Sequence, residues 1–101
     1  MSRMVKVATL NLIPEGACRV VEVEGTKIAL FNYQARLYAI ANACLHEGGP
    51  LGDGEVYGSR VVCPLHGWEY DFTTGCSVDD PAMRLRQYAV TVAGDDVMLE
   101  I

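Results

Sequence analysis

Histidines, basic side chains and long apolar runs are scarce in this sequence. Its 101 residues include two histidines, and eight lysines and arginines against thirteen aspartates and glutamates. The resulting formal charge of −5 argues against nucleic acid or an anionic membrane as a partner. It suits docking onto a basic patch of another protein. No apolar run approaches the roughly 18 residues that a membrane-crossing helix needs. The opening Met1-Ser2-Arg3-Met4-Val5-Lys6 lacks the apolar stretch of a secretory signal. These absences predict a cytoplasmic protein with no membrane or nucleic-acid partner, whose cysteines stay reduced unless a metal takes them. Long segments of helical periodicity, internal repeats and low-complexity tracts are also missing.

What is present reads as globular and all-β. Half the residues are apolar and 21% are charged, an ordinary folded composition. The length predicts one domain over 1–101 with a single modest core. Met4–Ala8 begins an alternating segment, and Arg19–Glu24 and Lys27–Phe31 are β-branched or apolar runs. Gly25-Thr26 between those runs predicts a hairpin. Arg36–Ala41 reads as the next strand. Near the other end, Gln87–Val92 and Val97–Ile101 alternate with period two, with a turn at Gly94-Asp95-Asp96. Tyr88, Val90 and Val92 share one face of the first run, and Val97, Leu99 and Ile101 one face of the second, each set able to pack inward.

The middle, from about 42 to 84, is different. It holds seven of the ten glycines, and its strand candidates, Arg60–Val62 and Trp68–Phe72, are short. A loop-rich stretch this long within a small domain requires a reason. A metal centre tying two loops together supplies one. The flanking strands then form a base that carries the middle as a smaller subdomain.

The candidate ligands fall in this stretch. Cys44-Leu45-His46 is followed, 16 residues later, by Cys63-Pro64-Leu65-His66. Thiolate and neutral imidazole are good donors to soft and borderline metals. A tetrahedral zinc and a two-iron cluster are both chemically reasonable here. Zinc modules commonly pair cysteine with cysteine first and histidine with histidine last. In this chain each loop offers one of each, which favours a two-iron core with both cysteines on one iron and both histidines on the other.

The pattern Cys44-x-His46, 16 residues, Cys63-x-x-His66 resembles the Rieske iron–sulfur motif. The likeness extends to Gly48-Gly49-Pro50-Leu51, Gly67-Trp68-Glu69-Tyr70-Asp71 and Thr74-Gly75. Asp80-Pro81-Ala82 resembles the proline loop that covers the cluster in that family. The resemblance implies an antiparallel β-sandwich base with a loop-rich cluster-binding subdomain. It implies one [2Fe–2S] cluster held by Cys44, His46, Cys63 and His66, with Gly48, Gly49, Pro64, Gly67, Trp68, Tyr70 and Pro81 around it. Tyr70 keeps the place of a tyrosine that bonds a cysteine sulfur. Gly49 and Leu65 stand where respiratory and photosynthetic members carry a disulfide, and Trp68 stands where those members carry a serine that bonds a sulfide. These departures give the chain the look of a soluble Rieske-type ferredoxin of a bacterial ring-hydroxylating dioxygenase system. Its implied partners are a flavin-dependent NAD(P)H reductase and a terminal oxygenase, docking near His46 and His66, with the carrier itself a monomer. A small subunit of an assimilatory nitrite reductase is the alternative, although several of those have lost the ligands retained here.

Such a chain is not itself an oxygenase. That chemistry needs a mononuclear iron on two histidines and a carboxylate, and both histidines are already committed. Gly48, Gly49 and Gly67 let backbone approach the cluster or simply turn the chain. Pro50, Pro64 and Pro81 stiffen their loops. Trp68 reads chiefly as packing for the subdomain and secondarily as a docking aromatic. Cys18 and Cys76, outside the motif, read as reduced small hydrophobes.

Overall fold

A computed structural model describes residues 3–45, 48–65 and 67–101. Its strands are β1 (Met4–Thr9), β2 (Cys18–Val23), β3 (Thr26–Tyr33), β4 (Arg36–Ala41), β5 (Glu55–Tyr57), β6 (Arg60–Val62), β7 (Glu69–Asp71), β8 (Gln87–Tyr88), β9 (Val90–Ala93) and β10 (Asp96–Glu100). Single 3₁₀ turns occupy Leu10–Leu12 and Leu51–Asp53. Among the described residues there is no α-helix, and no helix long and apolar enough to cross a membrane. The expected all-β, antiparallel fold is therefore the one that forms.

The strands make three sheets, ordered β1-β10-β9, β2-β3-β4-β8 and β5-β6-β7, with every pairing antiparallel. The four-stranded sheet lies between two cores. Ile28, Leu30 and Ala39 pack on one side with Ala8, Ile13, Val97 and Leu99. Ala29, Phe31 and Ile40 pack on the other side with Leu51, Val61, Tyr70, Phe72 and Leu85. A strand covered on both faces loses the need for polar alternation, which is why Ile28-Ala29-Leu30-Phe31 is apolar without a break.

The hairpins show how local chemistry sets the register. β2 and β3 close with Val23 opposite Thr26, so the two-residue turn is Glu24-Gly25 rather than Gly25-Thr26. Both residues have positive φ, 52° and 83°, as the turn favoured by strand twist requires. The β3–β4 turn does the same with Gln34 and Ala35, at 52° and 65°. No glycine relieves it, but the Glu15 carboxylate accepts both turn N–H groups, at 2.8 and 3.1 Å.

Three further expectations need correction. Gln87–Val92 is not one strand, because Tyr88 pairs with β4 while Val90 pairs with β10. The chain crosses from one sheet to the other at Ala89, and Val92 ends up 44% exposed instead of packing inward. The last turn is Gly94-Asp95 alone, since Asp96 already pairs with Ala93. Trp68–Phe72 shrinks to the three residues of β7, and β5, pinched between Gly54 and Gly58, was not foreseen.

Candidate metal centre

The two cysteines stand on two loops built to one plan. The first loop leaves β4, and its return is fixed where Pro50 bridges Ala43. The second connects β6 to β7, whose last pair is Val62 with Glu69. In the first, Cys44 N–H donates to Gly49 O at 2.9 Å and Gly48 N–H to Cys44 O at 2.8 Å. In the second, Cys63 N–H donates to Trp68 O at 2.7 Å and Gly67 N–H to Cys63 O at 3.1 Å. Each cysteine thus bonds the carbonyl five residues on and accepts from the glycine four residues on. Those glycines have φ of 70° and 75°, which only glycine adopts freely. A Cβ on either would meet nothing within 4 Å. Gly48 and Gly67 therefore serve the turn, and their N–H groups are taken by loop carbonyls.

Gly49 has a different reason to be glycine. A Cβ there would lie 2.6 Å from Cys63 Sγ and 3.0 Å from Leu65 Cγ. The tips of the two loops therefore adjoin, and the Cys63 sulfur faces the Cys44 loop. Gly49 and Leu65 are thus neighbours in space.

Both side chains are buried, Cys44 at 3% and Cys63 at 2% exposure. Tyr70, in the middle of β7, places its hydroxyl 3.2 Å from Cys44 Sγ. The same oxygen accepts the Leu45 N–H at 3.0 Å, which leaves the phenolic proton to be donated to sulfur. Burial, then the bond to Cys44, raises the Tyr70 pKa, so the proton stays on at neutral pH.

Trp68 is half-buried against the same core and shares a cleft with Ser77, Asp79, Asp80 and Met83. Pro81, exposed, lies in the turn closed by Met83 N–H to Asp80 O. Pro64 and Leu65 are exposed at the tip of the second loop. His46 and His66 lie outside the described residues.

Asn42 is a site residue that the motif alone did not reveal. Its N–H bonds Lys27 O on β3, its carbonyl accepts Leu51 N–H, and its Oδ1 accepts Gly52 N–H at 2.8 Å. It fastens both ends of the first loop to the central sheet. An asparagine at a strand end, two residues before Cys44, is the signal that could have found it.

The model of the Rieske [2Fe-2S] domain matches residues 3–89. The chain belongs to that family. The ferredoxin component of the naphthalene 1,2-dioxygenase system of Pseudomonas aeruginosa is 32% identical over 98% of this chain and 96% of its own length. The ferredoxin of carbazole 1,9a-dioxygenase from Nocardioides aromaticivorans IC177 superposes with a TM-score of 0.87 at 29% identity, covering 95% of each chain. A chain from the complex of reduced oxygenase and oxidised ferredoxin in carbazole 1,9a-dioxygenase gives 0.87 at 26% identity, covering 95% of this chain and 91% of that one. Membership of the Rieske family selects one [2Fe–2S] cluster over zinc as the native centre. The residues present fit that group. Two buried cysteines stand on adjoining loops, a hydroxyl is aimed at the sulfur of one, and Gly49 leaves beside the other the space that a side chain would fill.

Proposed function

We propose that this Rieske-domain protein is an electron carrier, not itself an enzyme, that passes single electrons from a flavin-dependent NAD(P)H reductase to a terminal oxygenase. Its ligands are Cys44, His46, Cys63 and His66, with the two cysteines on one iron and the two histidines on the other. The bound [2Fe–2S] cluster supplies one-electron carriage. The chain works as a single domain over 1–101, with about 42–84 as the cluster-binding subdomain, as a cytoplasmic monomer. Both partners dock near His46 and His66.

The observation that carries this reading is the pair of buried thiols on loops closed by the same two hydrogen bonds. Those bonds tie each cysteine's backbone to its own loop. The Tyr70 hydroxyl orients Cys44 Sγ and stabilises it as thiolate. Gly49 and Pro64 shape the gap between the loops, and Gly48 and Gly67 turn them. Trp68 and the Pro81 turn wall one flank. The relatives named above are ferredoxin components rather than oxygenases, which agrees with a carrier.

Iron and acid-labile sulfide analysis of Cys44→Ser and Cys63→Ser, beside the parent protein, tests the ligand set. The parent should hold two irons and two sulfides per chain, and each variant should lose them. Full retention in either variant would remove that cysteine from the centre.

A further inference from the structure

Two glycines of the middle stretch have no place in the ligand motif. Gly52 and Gly54 lie in and just after the single turn Leu51–Asp53. Neither has positive φ, so backbone conformation does not require glycine there. Close approach does. A Cβ on Gly52 would overlap Val20 Cγ2 and come within 3.1 Å of Asn42 Oδ1. A Cβ on Gly54 would overlap the Val62 carbonyl. Glu55, next along the chain, pairs with Val62. The turn is therefore wedged between β2 and the end of β6, with backbone against backbone at Val62.

This wedge reaches the chain just ahead of each cysteine. Asn42 comes two residues before Cys44, and Val62 comes immediately before Cys63. Asn42 is 6% exposed and holds the turn twice. Its carbonyl accepts the Leu51 N–H at 2.8 Å, and its Oδ1 accepts the Gly52 N–H at 2.8 Å. Leu51, at the head of the turn, is fully buried in the same core as Cys44 and Cys63. The two cysteine loops thus meet at two levels. Gly49 adjoins Cys63 Sγ at the tips, and the Leu51–Gly54 segment joins their roots.

We infer that the Leu51–Gly54 segment is the spacer that sets the separation of Cys44 and Cys63, with Asn42 as its positioning residue. The inference rests on the ligand set proposed above and adds what keeps the two sulfurs at one distance. Two cysteines that share one iron tolerate little error in that distance, because metal–sulfur bonds are short and directional. Asn42 acts on it through the turn rather than by touching the centre. Its removal leaves the Gly52 N–H without its acceptor and frees the turn to shift along β2 and Val62.

Electron paramagnetic resonance of the dithionite-reduced, cluster-loaded protein tests this, with iron release to bathophenanthroline measured beside it. The parent is compared with Asn42→Ala, with Asn42→Asp, which keeps an acceptor oxygen in the same place, with Gly54→Ala, and with Val97→Ala. Val97 lies in the core on the far side of the central sheet, so its truncation weakens the fold without touching the turn. Asn42→Ala should shift the g-values and release iron at least about tenfold faster. Asn42→Asp should hold g-values close to the parent's and release iron within about threefold of it. Val97→Ala should keep the parent's g-values. Gly54→Ala pushes the turn off Val62 while Asn42 stays intact, and it should shift the g-values by this second route. Parent-like g-values in Asn42→Ala, or shifts as large in Asn42→Asp or Val97→Ala, would overturn the inference. If far-UV circular dichroism shows that Asn42→Ala does not fold, Gly54→Ala decides, and a parent-like spectrum from it would overturn the inference equally. A parent without iron would refute the carrier reading itself, whereas a loaded parent with an indifferent Asn42→Ala refutes the spacer alone.

Discussion

Tyr70 does two jobs with one oxygen. It accepts the Leu45 N–H and donates to Cys44 Sγ, so it fixes the backbone next to the thiolate and stabilises negative charge on it. The reduced centre is the more negative form and gains more from that bond. A bond that differs by about 1 kcal/mol between the two forms moves a one-electron potential by about 40 mV. Tyr70→Phe should therefore lower the potential of the loaded protein by roughly that amount. Trp68 stands where the resemblance puts a serine hydroxyl in respiratory and photosynthetic Rieske proteins, so the parent potential should sit near the floor of the Rieske range, about −150 mV. Trp68→Ser should raise it. Protein-film voltammetry of the three forms checks the order, and a parent value well above zero would refute it. Cys18 gives a second prediction at this scale. Burial first, and the charge of Asp53 second, push its thiol from 9.0 up to about 12. The folded state thus keeps a proton that the unfolded chain releases above about pH 9. Stability should be level below that value and fall between about pH 9 and 12. Urea unfolding at pH 7.5 and pH 10.5 should show the fall, and Cys18→Ala should reduce it. An unchanged difference between the two pH values in Cys18→Ala would assign the fall to other groups, Tyr70 first among them.

Strands and loops divide the work. β3 and β4 are the shared wall between the two cores, and the β5-β6-β7 meander holds the second cysteine loop against that wall. Phe72, just after β7, stacks on Phe31 of β3 with ring centroids 4.3 Å apart, and Tyr33 meets it edge-on at 5.8 Å. This aromatic contact ties the meander to the central sheet. Phe72→Ala should cost about 3–5 kcal/mol in urea unfolding, with the cluster spectrum lost at a lower urea concentration than in the parent. A loss under 1 kcal/mol would mean that the meander is held some other way. At this scale the sequence was legible where chemistry is local. The β4 and β6 strands, Arg36–Ala41 and Arg60–Val62, formed as their residues indicate. Misreadings arose where tertiary pairing decides. Gln87–Val92 alternates without a break, yet the two sheets compete for it and split it at Ala89. Glu55-Val56-Tyr57 has one inward apolar residue, too few for a pattern. The β3–β4 turn needs Glu15, nineteen residues before Gln34, and no local rule supplies such a partner.

At the scale of the whole molecule, the chain separates stability from function. Its N- and C-terminal parts pair as β1 with β10 and close the base. The cysteine loops lie in the inserted middle. Cys44 and Cys63 stood out by residue type and spacing, and Tyr70 only through the family resemblance, which its bond to Cys44 Sγ fits. The matched hydrogen bonds of the two loops could not be picked out, since Cys44-Leu45-His46 and Cys63-Pro64-Leu65-His66 space cysteine and histidine differently, yet Cys44 and Cys63 make the same two backbone bonds. Asn42 escaped notice for a similar reason, because its partners, Lys27 on one side and Leu51 and Gly52 on the other, lie on two separate segments. The central claim is that two cysteines and two histidines grip one bridged pair of irons. Pulsed electron–nuclear double resonance on the dithionite-reduced protein tests it most directly. The account predicts a paramagnetic centre coupled to two distinct nitrogen nuclei, and couplings to none or only one would contradict it.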